Sequence, residues 1–159
     1  MSGGMNNTYK EAFDMSDVIS IKQKRYQKEL KYEKKMLREL SLTEIKHQMN
    51  FCFGKMIDNG RKKIIEEACV DYAIEAFLLG AKYSRFGYYG ETMDAANKRC
   101  QHEEKRLIDE FYDYFLNWGK VKINDVSYDE LYIASEHYIH TFWQEGFIKG
   151  EKRYKLRLH

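Results

Sequence analysis

The 159-residue sequence contains no proline. Average usage of about 5% would place roughly eight in a chain of this length. Their absence removes the strongest breaker of a helix interior and favours long, uninterrupted helices. Cysteine is held to three residues, Cys52, Cys69 and Cys100, odd in number and without a CxxC pair. That excludes a disulfide framework and points to reduced thiols. No run approaches 18 apolar residues, and the opening MSGGMNNTYKEAFD lacks the apolar centre and small-residue cleavage site of a secretory signal. Neither sign of charge dominates: 27 basic against 25 acidic residues leave +2, too little to make the whole surface a polyanion binder. Together these absences predict a soluble, cytoplasmic protein that makes no membrane contact.

What the chain does have is aromatic bulk, 13 Tyr, 9 Phe and 2 Trp, enough to fill the core of a single domain. Residues 1–15 are polar, Gly/Asn-rich and weakly periodic, and are expected to form a flexible N-terminal segment, because they bury too little to offset their ordering entropy. Residues 16–159 are expected to form one helical domain. Tyr26, Leu30, Leu37 and Leu40 recur near helical spacing among charges and predict a first helix over about 22–40. Ser41-Leu42-Thr43-Glu44 has the form of a capping box. It opens a second helix with Ile45, Met49, Phe53 and Met56 on one stripe, ending near Asp58-Asn59-Gly60.

A third helix follows from Arg61 to about Phe86, carrying Ile64, Ile65, Ala68, Cys69, Tyr72, Ala76, Phe77 and Gly80. Gly87-Tyr88-Tyr89-Gly90 then breaks the pattern. Thr92 caps a fourth helix whose stripe runs through Ala96, Cys100, Leu107, Phe111, Tyr114, Phe115 and Trp118 to Gly119, with QHEEKR as a solvated face. KVKINDV, from residue 120, alternates briefly with the period of a strand. A second capping box, Ser127-Tyr128-Asp129-Glu130, opens the last helix to about Lys155, with Leu131, Ser135, Tyr138, Ile139, Phe142 and Gly146 on one face. The fold class is thus all-α, an irregular bundle of about five main helices. EAFLLGAKY at 75–83 is similar to EGFIKGEKRY at 145–154, and both carry small residues four apart. Such notches let backbones approach closely, so the third and last helices are expected to cross there, with Phe77 and Phe147 on either side.

Chemistry-bearing patterns are sparse. GxGxxG, P-loop, HExxH and GxSxG motifs are absent. Glu136, His137 and His140 could offer a carboxylate and imidazoles to a metal, but His137 and His140 fall away from the apolar centre of their helix. Glu44 and His47 have the E-x-x-H spacing of di-metal bundles in a single copy, where two are needed. A metal-dependent enzyme on either set is the least favoured reading, and no cofactor or catalytic residue is expected. The basic positions are more distinctive. Residues 22–39 hold eight basic residues against three acidic, a net +5, and 149–157 hold five against one, a net +4. Lys24, Arg25, Lys28, Lys31, Lys35, Lys152 and Arg153 are therefore candidate contacts to a protein partner or to nucleic acid. Tyr88 and Tyr89, between glycines at a loop tip, are candidate anchors for a protein partner.

KRYQKELKYEKKMLRELSL at 24–42 and FWQEGFIKGEKRYKLRLH at 142–159 resemble the small, uncharacterised YbaK-type cytosolic proteins of bacilli. The resemblance implies a bacterial cytosolic protein and brings with it no reaction, cofactor or catalytic residue. The expected function is a non-enzymatic interaction or regulatory module, contacting an unidentified protein partner or a second copy of itself. Nucleic-acid binding through the basic helix and the C-terminal tail is the alternative.

Overall fold

A computed structural model describes residues 2–57, 59–119 and 127–156; the side chains of 2–17 and of residues 19 and 59 are outside the description. The segment read as a possible strand, 120–126, lies outside the described residues. Every regular element described is helical: α1 (Ser2–Leu37), α2 (Leu42–Phe53), α3 (Lys62–Tyr88), α4 (Met93–Arg99), α5 (Gln101–Trp118) and α6 (Tyr128–Lys155), with a 3-10 turn at Asn59–Arg61. The all-α class is as the periodicity requires. The chain forms two compact units, residues 1–35 and residues 36–159.

In the first unit α1 starts at Ser2, far ahead of the apolar stripe that placed its beginning near residue 22. No proline interrupts residues 2–21, and helix propagation needs no apolar face once a nucleus exists. The helix also stops at Leu37, three residues short of expectation, in a turn closed by Glu39 N–H donating to the Met36 carbonyl.

The second unit is organised by α3 and α6, two helices of 27 and 28 residues packed along each other. They cross at the small-residue notches. A Cβ on Gly146 would strike the Phe77 carbonyl, one on Gly80 would strike the Trp143 carbonyl, and one on Gly150 would lie 2.8 Å from Ser84 Cβ. The local sequence similarity therefore has a packing reason: Gly80 and Gly146 make room for the other helix's backbone, and Gly150 for the Ser84 side chain. Phe77 and Phe147 are both buried beside the crossing.

Helices α2 and α5 pack on this pair. Their buried stripes, Ile45, Met49 and Phe53 on α2 and Leu107, Ile108, Phe111 and Phe115 on α5, meet Tyr138 and Phe142 of α6. Phe53, Phe111 and Phe115 form an aromatic cluster with edge-on and tilted ring contacts at 4.4–5.6 Å between centroids. Tyr138 is fully buried and donates its hydroxyl to the Cys69 carbonyl at 2.6 Å, so its one polar atom is satisfied. Ser41, Thr92 and Ser127 each accept a backbone N–H three residues on, at 3.4, 3.1 and 3.1 Å. All three predicted N-caps are in place.

Four expectations need correction. The single helix from Thr92 to Gly119 is two helices, because Cys100 leaves helical geometry at φ −104°, ψ 16° and turns its N–H to the Asn97 and Lys98 carbonyls. Gly87 lies inside α3, where Phe147 Cζ would be 2.6 Å from an added Cβ. The chain turns instead at Gly90, whose φ of +107° a glycine adopts without strain. Ile64 and Trp118, placed on buried stripes, are exposed near the ends of their helices, while Ile65 beside Ile64 takes the fully buried position. Finally, QHEEKR is not wholly a solvated face: Glu104 is 6% exposed.

Candidate functional site

That buried carboxylate is the centre of a polar constellation inside the second unit. Glu104 sits in the first turn of α5, four residues after Cys100 and four before Ile108, and so on the buried side of the helix. Its two oxygens are divided between two helices. Oε1 lies 2.7 Å from His140 Nδ1 of α6, and Oε2 accepts from Asn97 Nδ2 of α4 at 2.6 Å. A carboxylate this enclosed is tolerated because both oxygens have donors. The turn at Cys100 makes the second bond possible, since it folds Asn97 back over the start of α5.

His140 is half-buried, with Glu104 on one side and the Trp143 ring stacked against it at 6.1 Å and 2° between planes. Trp143 in turn stacks on Phe147 at 5.3 Å. The hydrogen bond to Glu104 raises the His140 pKa above the usual imidazole range. Burial opposes the rise, and Glu104, Glu136 and Asp94 add to it through their charges. Beside the pair, Cys100 is buried and its thiol is pushed up to about 12, mainly by burial. Such a thiol is a small core side chain and a poor nucleophile. Cys52 is pushed up to about 11, and Cys69 is also raised, both chiefly by burial.

The histidine and glutamate patterns singled out by spacing do not converge on a metal. Glu136 and His137 are exposed, His137 lying 6.0 Å from the Phe51 ring, while His140 turns to Glu104. Glu44 accepts from the Gln48 side chain at 3.3 Å, and His47 is exposed. Among the described residues no group of three or more His, Cys, Asp and Glu side chains could hold a metal ion.

The candidate contact residues fall into three places. Lys24, Arg25, Lys28, Lys31 and Lys35 are exposed along α1 in the first unit, as are Val18, Ile21, Tyr26 and Leu30. Tyr88 and Tyr89 are exposed at the end of α3, and Tyr88 stacks on Tyr154 of α6 at 5.8 Å. Lys152 is exposed on α6, whereas Arg153 Nη1 donates to Glu39 Oε1 at 3.0 Å. The neighbouring Lys149 donates to the Glu39 carbonyl at 2.6 Å and Lys155 pairs with Glu151 at 2.9 Å. Much of the C-terminal basic cluster is thus engaged within the second unit, fastening α6 to the turn after α1. Arg157 lies outside the described residues.

Spacing arguments missed Glu104 because a charge inside QHEEKR looks solvated. The available signal was its position, four residues from both Cys100 and Ile108, in the middle of an apolar stripe.

A helical protein with an aromatic core, a Glu–His pair built on a buried carboxylate and a basic helix is the class that this geometry defines. The chain belongs to the family described as protein of unknown function DUF2521, whose family model matches residues 15–159. It is similar to the uncharacterised protein YbaK of Bacillus subtilis (strain 168), with 37% identity over 146 residues covering 91% of this chain and 99% of that protein. No solved structure matches the chain. No helix among the described residues is long and apolar enough to cross a membrane.

Proposed function

We propose that this chain is a non-enzymatic protein-protein interaction module whose principal contact element is α1. One observation carries the reading: Val18, Ile21, Tyr26 and Leu30 are all solvent-exposed on the same helix that bears the basic excess. At 100° per residue these four fall within about half of the helix circumference. Between Val18 and Lys35 there are seven basic residues and two acidic ones. An amphipathic helix of this kind suits a partner groove with an apolar floor and an acidic rim. Tyr88 and Tyr89 supply a second, smaller contact of rigid aromatic rings.

Nucleic-acid binding through α1 and the C-terminal tail is less well supported, since phosphate contact needs no apolar face and Lys149, Arg153 and Lys155 already have acidic or carbonyl partners. Affinity capture with in-cell cross-linking tests the proposal. A variant carrying Val18→Ser, Ile21→Ser, Tyr26→Ser and Leu30→Ser is expected to lose a partner that the wild type retains at 0.5 M salt. Identical capture by both proteins would overturn it. Retention on DNA or RNA that disappears with salt, and with Lys24, Arg25, Lys28 and Lys31 changed to Ala, would favour nucleic acid.

A further inference from the structure

We propose that Glu104 and His140 form a proton-controlled latch holding the α4–α5 elbow on α6, so that α4 loosens from the unit when His140 loses its proton. The argument begins with geometry. Glu104 is hydrogen-bonded to α4 and α6 together, through Asn97 and His140. Helix α4 has just seven residues and could not persist alone. Its buried attachments are Ala96 and, at the elbow, Cys100, which pack with Trp143 and Phe147 of α6 and against Leu79, Tyr83 and Phe86 of α3. The remaining ties run to α3 or outward and are independent of His140. Tyr83 donates to Glu103 Oε1 at 2.5 Å, and the Arg99 guanidinium lies over the Phe86 ring. Arg99 Nε donates to Glu91 at 2.8 Å on the exposed side, and Thr92 caps α4 itself.

Every charged group that acts on His140 favours the imidazolium. Glu104 faces it from α5, Asp94 from α4 and Glu136 from its own helix, one turn before it. The stacked Trp143 face favours a cation further. When His140 is charged, the buried carboxylate has a charge partner on α6 while Asn97 holds its other oxygen. When His140 is neutral, the carboxylate keeps a hydrogen bond but loses the charge that balanced it in a site with little water. Opening the elbow to hydrate Glu104 then becomes easier, and α4 opens with it.

The direction follows from linkage. A histidine whose folded pKa lies above its unfolded value contributes stability that is fully present below the unfolded value, about 6.5. That contribution is lost as pH rises through the folded value. The latch is closed in acid and opens toward alkaline pH.

Trp143 provides a local probe, because Trp118 is the only other tryptophan and is exposed. In the full chain carrying Trp118→Phe, protonated His140 should quench Trp143. Emission is therefore expected to rise with pH, with a midpoint above 6.5. Glu104→Gln should move the midpoint down, and His140→Asn, which keeps an amide donor near the Nδ1 position, should abolish the transition. Hydrogen exchange at the amides of 93–99, corrected for the intrinsic pH dependence, should accelerate through the same range. The expected gain is about tenfold for each pH unit separating the midpoint from about 6.5, while amides in the middle of α6 stay protected. His140→Asn should leave α4 exchange independent of pH. A midpoint at or below 6.5, or α4 protection unchanged across a midpoint that does appear, would overturn the latch. The wild-type exchange experiment decides the matter even where a variant fails to fold.

Discussion

Replacing Gly146 by alanine probes the contact on which the second unit is built. Two terms compete. Alanine is the better helix former, and the exchange gains about 1 kcal/mol of helix propensity in α6. Against this, the added Cβ meets the Phe77 carbonyl, and Phe77 Cα at 3.0 Å. These are backbone atoms, so no rotamer change relieves the overlap and α3 and α6 must separate. Overpacking of a tight core costs about 1–3 kcal/mol even where side chains can adjust, and here the upper end applies. The net expectation is a loss of about 2 kcal/mol, or a fall in Tm of about 4–8 °C for a unit of this size. Urea unfolding followed by far-ultraviolet circular dichroism measures it. Gly60→Ala is the control, because a Cβ there meets nothing within 4 Å, and it should stay within about 0.5 kcal/mol of wild type. A Gly146→Ala protein as stable as wild type would refute the crossing of α3 and α6 at these notches.

Tyr138→Phe removes the hydroxyl that reaches the Cys69 carbonyl at 2.6 Å and should lower stability by about 1–2 kcal/mol in the same urea assay. The three thiols should react slowly with a disulfide reagent at pH 8 in the folded protein, since burial raises Cys52 to about 11 and Cys100 to about 12 and raises Cys69 as well. All three should titrate rapidly in denaturant, and a fast native thiol would contradict the packing. Tyr83, whose hydroxyl donates to Glu103 Oε1 at 2.5 Å, is pushed up to about 12, chiefly by that bond. Its folded value lies above the unfolded one, so its contribution is present below about 10 and is lost as pH climbs through about 12. Absorbance at 295 nm should lose one tyrosine step near pH 12 in Tyr83→Phe, while Tyr138, raised by burial, still titrates late in both proteins.

The helices of the second unit were legible because their causes are local. Leu131, Ser135, Tyr138, Ile139, Phe142 and Gly146 repeat at three and four residues, and all are buried in α6. Ser41, Thr92 and Ser127 announce helix starts by chemistry confined to four residues. The notch similarity even identified which helices cross, since only small residues let two backbones meet.

The break at Cys100 and the burial of Glu104 were decided elsewhere. Neither glycine nor proline marks the turn. The chain bends there because Ala96 and Cys100 bury themselves with Trp143 and Phe147 of α6, a surface more than 40 residues away along the chain. Glu104 tolerates its place in the stripe because Asn97 and His140 arrive from two other helices to satisfy its oxygens. Periodicity and capping act over one or two turns and can be read from the residues alone. The pairing of a buried charge requires partners that only folding brings within reach.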